Sequence, residues 1–147
     1  MKIMVINGVN LKYTGMRSPD VYGCETLDDI NGEIKIAAKG RNMDVEFFVS
    51  DSEGEIVSCL WRAKDYDGII LNAGAYSHYS IAIRDAIEGI KAPVIEVHMS
   101  NIAAREDFRH KSVLSSVCRG MVAGFGKKSY ILALSAFADG DFYGKKN

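Results

Sequence analysis

The sequence predicts an α/β fold built on a single five-stranded parallel sheet, and three observations predict it. Five short apolar runs recur along the 147 residues, with helix-spaced apolar stripes in the segments between and after them. Val94, Ile95 and Val97 of the fourth run are near-continuous rather than alternating, as expected of a parallel strand covered on both faces. Polar residues gather where the runs end, at Asn7, Asn72, Glu96 and His98. Strands alternating with helices imply a parallel sheet with helices on both faces. The expected architecture is flavodoxin-like, with strand order 2-1-3-4-5, and in such sheets sites lie beyond the carboxyl ends of the strands.

In chain order, Lys2 to Ile6 is the first strand. The segment from Asn7 to Glu25 has no periodicity and carries Gly8, Gly15, Pro19 and Gly23. A loop of that length in a compact domain is usually functional, and Asn10, Arg17 and Tyr22 favour reading Asn10–Gly23 as an active-site lid. Thr26-x-x-Asp29 has capping-box spacing and opens a helix with Ile30, Ile34 and Ala37-Ala38 on one face, ending near Gly40. Asp44 to Ser50 is the second strand. Ser52-x-x-Glu55 repeats the capping pattern before Ile56, Leu60 and Ala63. Asp67-Gly68 turns into the third strand, Ile69 to Leu71, followed by a turn-rich crest from Asn72 to His78 and a helix to about Gly89. Pro93 bounds the fourth strand, Val94 to His98. A helix is expected from Ser100-Asn101, carrying Arg105 and Arg109 four apart. Gly120 to Phe125 is the fifth strand, and the last helix covers about Lys128 to Ala138. Asp139–Asn147 reads as a polar, frayed tail. The whole, residues 1–147, reads as one catalytic domain.

Composition narrows the function. A net charge of -1 and a pI near 6.3 give no basic bias toward nucleic acid or a membrane surface. Cys24, Cys59 and Cys118 are odd in number and widely spaced, which argues for a reducing compartment and against a disulfide framework or a zinc site. With no run long enough to span a bilayer, the expectation is a soluble cytoplasmic protein.

Glu96 and His98 are two apart on a strand, so they share a face. A carboxylate beside a ring N–H fixes the tautomer and orients the ring, the arrangement of a general acid; a structural polar pair at a sheet edge would look the same. Other chemistries lack their motifs. Gly124-Phe-Gly126-Lys127-Lys128 is not a phosphate loop, no Gly-x-Gly-x-x-Gly follows strand one, and the strand ends carry Asn7 and Asn72 where a phosphoacceptor would need acids. His78, His98 and His110 lack metal-ligand spacing, so no metal is expected. His110 and Arg109 read equally well as charges at a helix end, and Asp85 as part of a solvated face. A Gly-x-Ser-x-Gly elbow, needed by an α/β hydrolase, is absent. A catalytically silent binding module on the same fold is the rival from another class, although it would need no acid–base set.

Nearly the whole chain resembles the type II 3-dehydroquinate dehydratases. The resemblance rests on Asn7-Gly-Val-Asn10-Leu11, Gly15-x-Arg17, Tyr22-Gly23, Ser50-Asp-Ser-Glu53-Gly54 and Gly68-Ile-Ile-Leu-Asn72-Ala-Gly-Ala75. It continues through Ser77-His78-x-Ser80-x-Ala-Ile-Arg84-Asp85, Glu96-Val-His98-Met-Ser100-Asn101-Ile and Ala104-Arg105-Glu106-x-Phe108-Arg109-His110. Departures are Val9 where proline is usual, Thr14 where leucine is usual and Ala103 where histidine is common; they bear on lid motion and affinity.

The resemblance implies anti elimination of water from 3-dehydroquinate through an enolate, in the shikimate pathway, with no cofactor. It makes Tyr22 the base, acting as phenolate. Bringing a free phenol of pKa about 10 to neutrality takes ~4 kcal/mol, which Arg17 and Arg109 would supply as cations. It makes Asn10 the holder of a water at the enolate and His98, oriented by Glu96, the acid for the departing hydroxyl. Met99 and Ser100 would take the substrate carboxylate at a helix start, and Asn72, His78 and Arg109 the hydroxyls. Asp85 would come from a neighbouring subunit, in trimers grouped as a dodecamer.

Overall fold

The structure, a computed structural model, describes residues 1–16, 20 and 24–140. Its sheet contains β1 (Lys2–Asn7), β2 (Asp44–Val49), β3 (Gly68–Asn72), β4 (Val94–His98) and β5 (Gly120–Ala123), all parallel, in the order β2-β1-β3-β4-β5. The flavodoxin-like order expected from the sequence is the order observed. Among the described residues four helices cover it: α1 (Leu27–Lys39), α2 (Glu53–Arg62), α3 (Ile81–Gly89) and α4 (Lys128–Asp139).

Strand alternation divides the core in two. Met4, Ile6, Ile69 and Leu71 point to one face and pack with Ile56 and Leu60 of α2 and Ile83 and Ile87 of α3. Ile3, Val5, Ile70, Ile95 and Val97 point to the other and pack with Ile30 and Ile34 of α1 and Tyr130, Leu134 and Phe137 of α4. Both sides of the central strands are therefore buried, which explains their continuous apolar sequence. Each Ile or Leu so buried is worth roughly 1.5–3 kcal/mol.

The helix starts follow the local chemistry. Thr26 Oγ1 accepts from the Asp29 N–H at 3.2 Å and Asp29 accepts from the Thr26 N–H at 2.9 Å, a complete capping box. At α2 only half the motif forms: Ser52 Oγ accepts from Glu55 N–H at 3.3 Å, while the Glu55 carboxylate turns to Ser50 Oγ. Ser80 caps α3 through Ile83 N–H at 3.0 Å. Gly40 ends α1 as expected, and the reversal is completed by Asn42 in the left-handed region, φ 53°.

Three sequence expectations are corrected. No α-helix follows β4. In its place are three 3-10 turns, Ile102–Ala104, Asp107–Arg109 and Ser115–Val117. Side chains take the backbone groups a helix would use: Asn101 Oδ1 accepts from Ala103 N–H, His110 Nε2 donates to the Arg105 carbonyl, and Ser112 Oγ accepts from Leu114 and Ser115 N–H. His110 therefore sits at the end of a short turn, not at a helix dipole. The fifth strand stops at Ala123, where Gly124 turns at φ 96°. At the other end Asp139 is the last residue of α4 rather than the start of a tail, and residues 141–147 lie outside the described residues.

Candidate active site

Register brings the polar strand ends together. Asn7 pairs with Asn72 and Leu71 with Glu96, so β1, β3 and β4 end at one edge. Gly8 permits the close approach of the loops beyond: its N–H donates to the Asn72 carbonyl at 2.7 Å, and a Cβ there would stand 2.5 Å from the Ala73 oxygen. Over this edge opens a cavity of about 150 Å³. Its walls are Val9, Asn10, Leu11 and Thr14 after β1, Asn72, Gly74, Ala75 and His78 at and after β3, and His98, Met99, Ser100, Arg105 and Arg109 at and after β4. Among the described residues those walls hold two histidines and two arginines and no carboxylate, a lining suited to an anion.

Glu96 and His98 form the buried centre of the β4 end. His98 Nε2 stands 2.7 Å from Glu96 Oε1, and their side chains are 7% and 0% exposed. The carboxylate also accepts from Ser112 Oγ at 2.7 Å and from Ser115 Oγ at 2.5 Å. Burial pushes its pKa up, but the hydrogen bonds from His98, Ser115 and Ser112 outweigh burial and hold it below the usual carboxylate value. Nε2 is thus committed to Glu96, which leaves Nδ1 as the ring nitrogen free for the cavity. The His78 ring stacks on that of His98 with centroids 6.2 Å apart, and its Nδ1 donates to the Lys111 carbonyl at 2.8 Å.

Asn72 is held by a second buried network. Its Nδ2 donates to the Tyr130 hydroxyl at 2.8 Å, its Oδ1 accepts from Gly74 N–H at 3.2 Å, and Tyr130 in turn donates to Asn7 Oδ1 at 2.6 Å. Burial pushes the Tyr130 phenol far above its ordinary value against the opposing Asn72 bond, so this hydroxyl stays neutral.

The cations and the rim complete the site. Arg109 Nε donates to Glu106 at 2.9 Å, and Arg105 Nη1 reaches Ser100 Oγ at 3.5 Å. Asn10 sits at φ 68°, and its N–H donates to Asp51 Oδ1 at 2.8 Å, while Lys12 pairs with the other Asp51 oxygen at 2.5 Å.

An imidazole oriented by a buried carboxylate, oriented amides and anion-binding cations can bind a small polyhydroxylated anion and transfer a proton to it. The sequence model of the family described as dehydroquinase class II matches residues 1–138 of this chain. The chain belongs to the class II dehydroquinase family. It is 52% identical over 139 residues to a 3-dehydroquinate dehydratase of Pelodictyon phaeoclathratiforme, covering 92% of this chain and 91% of that protein. The crystal structure of a type II dehydroquinase from Butyrivibrio crossotus matches with a TM-score of 0.91 at 44% identity, over 93% of this chain and 97% of that one. A type II dehydroquinase from Propionibacterium acnes also matches at 0.91, with 45% identity over 94% and 96% of the two chains.

Of the site residues drawn from the dehydroquinase resemblance, Asn10, Asn72, His78, His98, Met99, Ser100 and Arg109 border the one cavity, with Glu96 bonded to His98. Arg17 and Tyr22 lie outside the described residues. Asp85 stands apart: its side chain is 65% exposed on α3, 3.6 Å from Arg84, and it does not line the cavity. The helix start expected at Met99 and Ser100 is a three-residue turn whose Ala103 N–H is already taken by Asn101. Two departures from the dehydroquinase pattern, Val9 and Thr14, line the cavity; Ala103 does not. Sequence reasoning gave no role to Arg105, Ser112, Ser115, Tyr130 or Asn7. The serines had no signal beyond spacing, and Tyr130 sat unremarked in the apolar stripe of α4.

Proposed function

We propose that this chain is a 3-dehydroquinate dehydratase of the shikimate pathway, eliminating water from 3-dehydroquinate in the anti sense to give 3-dehydroshikimate. The observation that carries the reading is the buried Glu96–His98 pair at a cavity lined by His78, Arg105 and Arg109, in a chain of the class II dehydroquinase family.

In this reading Tyr22, as phenolate, takes the proton next to the ketone, and Arg17 and Arg109 stabilise the anion. The electrons move into the ketone as an enolate, which hydrogen bonds through an Asn10-held water stabilise. The enolate collapses, the hydroxyl leaves on the opposite face, and His98 supplies the proton that makes it water. Met99 and Ser100 take the substrate carboxylate; Asn72, His78 and Arg109 take its hydroxyls. No cofactor enters any step. Asn10–Gly23 serves as the lid of a single catalytic domain.

Asp85 acts from a neighbouring subunit, in trimers grouped as a dodecamer. What supports this is its exposure on α3, away from its own chain's cavity. A cytoplasmic location belongs to the same reading. The three cysteines are free thiols, as in a reducing compartment, and no described helix is long and apolar enough to cross a membrane.

The test is the rise of enone absorbance when 3-dehydroquinate is added to purified protein. Turnover is expected; a folded protein that binds the compound without turnover would make it a binding module instead.

A further inference from the structure

We propose that Ser112 and Ser115 are positioning residues for the His98 acid: their hydroxyls lock Glu96 as a carboxylate, so the proton shared by the Glu96–His98 pair rests on the imidazole. The catalytic consequence rests on the reading of His98 given above; the proton placement stands on geometry alone.

The direction of each serine bond is forced. A hydroxyl has one donor hydrogen and two lone pairs. Ser112 Oγ accepts from Leu114 N–H at 3.1 Å and from Ser115 N–H at 3.3 Å, which occupies both lone pairs. Its hydrogen is left to point at Glu96 Oε1, 2.7 Å away. Ser115 Oγ has two candidate acceptors, Glu96 Oε2 at 2.5 Å and the Met121 thioether at 3.6 Å. A thioether is a weak acceptor, so this hydrogen also goes to the carboxylate. With His98 Nε2 at 2.7 Å, three donors converge on a side chain that is fully buried.

Consider one proton on the pair. It can sit as carboxylate and imidazolium, or as carboxylic acid donating to a neutral ring. Both forms carry the same charge in total, so only their neighbours distinguish them. Bonds to an ionised acceptor are roughly twice as strong as neutral ones, and the two serine donors therefore favour the first form. The elements around Glu96 offer nothing that competes. Its register partners are Leu71 on β3 and Met121 on β5, His78 stacks on the His98 ring with centroids 6.2 Å apart, and His98 is the titratable group that bonds it. The carboxyl's depressed pKa agrees with this arrangement. The consequence is chemical: imidazolium Nδ1–H is a far stronger acid for a departing hydroxyl than the N–H of a neutral ring.

The experiment is infrared difference spectroscopy of protein labelled with ¹³C-glutamate, titrated through the protonation of the pair. Glu96→Gln identifies the bands of this residue. In the unsubstituted protein the first proton should leave the Glu96 carboxylate bands in place. In Ser115→Ala, which keeps the Ser112 hub intact, a protonated-carboxyl C=O stretch should appear with that proton, and Ser115→Thr should suppress it again. Ser112→Ala should act in the same direction. In parallel, kcat for water loss should fall ~10-fold or more per serine with KM little changed, and hydrogen exchange next to the ketone should be spared. Folded Ser115→Ala with unchanged carboxylate bands would overturn the proposal. Absence of turnover in the unsubstituted protein would sink the dehydratase reading but leave the infrared result decisive for the serines.

Discussion

Tyr130→Phe isolates one hydroxyl at the base of the site. The ring is fully buried between α4 and the sheet, and phenylalanine keeps its packing. The loss is confined to two hydrogen bonds, the 2.6 Å bond to Asn7 Oδ1 and the 2.8 Å bond from Asn72 Nδ2. Asn7 is 1% exposed and Asn72 4%, so bulk water does not replace the missing partner. A buried polar group left unpaired costs roughly 1–3 kcal/mol, and two of them sum to about 2–6 kcal/mol. Against a typical total of about 5–15 kcal/mol this is a large fraction. At a urea m-value of about 1–3 kcal/mol/M the midpoint should fall by ~1 M or more. Asn72 also loses one of the two bonds that set which way its amide faces, the other being that from Gly74 N–H, so KM for 3-dehydroquinate should rise by up to roughly 10-fold, the value of one oriented hydrogen bond, with a smaller change in kcat. Urea unfolding at fixed protein concentration and steady-state kinetics give both readouts. A midpoint within experimental error of the parent, together with an unchanged KM, would refute the argument that this hydroxyl orients Asn72.

Gly68→Ala should destabilise by roughly 1–3 kcal/mol, since a Cβ there would stand 2.4 Å from the Phe137 ring and force α4 off β3; thermal unfolding measures it. The folded state holds the Glu96 carboxyl below its unfolded value, so Glu96 contributes stability above about pH 4.3. That contribution is lost as pH falls through the depressed folded value. Acid unfolding of Glu96→Gln should accordingly show a shallower pH dependence than the parent, and equal slopes would count against it. Tyr22→Phe should abolish turnover while largely preserving binding by calorimetry, and borohydride with substrate should leave activity intact because no imine forms.

The fold was legible because the strands announce themselves twice, by continuous apolar composition and by polar residues at one end. Thr26 and Asp29 fixed the start of α1 from spacing alone, since a capping box needs only local atoms. The site was legible as far as side chains follow strand alternation, as Glu96 and His98 do. It was not legible where partners are distant in sequence. Tyr130 is 58 positions from Asn72 and 123 from Asn7, and nothing in the helical period of α4 distinguishes a phenol that packs from one that also bonds.

The segment after β4 failed as a helix for a reason that bears on function. Arg105 and Arg109, four apart, have helical spacing, but Glu106, Arg109, Ser112 and Ser115 are three apart, the period of a 3-10 helix. The chain follows neither period continuously. It takes short 3-10 turns separated by extended residues, with Val113 N–H donating to the Ser77 carbonyl and Arg119 N–H to the Val94 carbonyl. An α-helix in this position would bond its own amides to one another and carry its side chains around an axis. The turns instead let side chains consume the amides, and the same stretch delivers Arg105 and Arg109 to the cavity and Ser112 and Ser115 to Glu96 behind it. One connection thus supplies both the cations facing the ligand and the hydroxyls that hold the acid's partner. A substitution that made this stretch more helical, such as Ser112→Ala, should therefore disturb the Glu96–His98 pair before it disturbs the sheet.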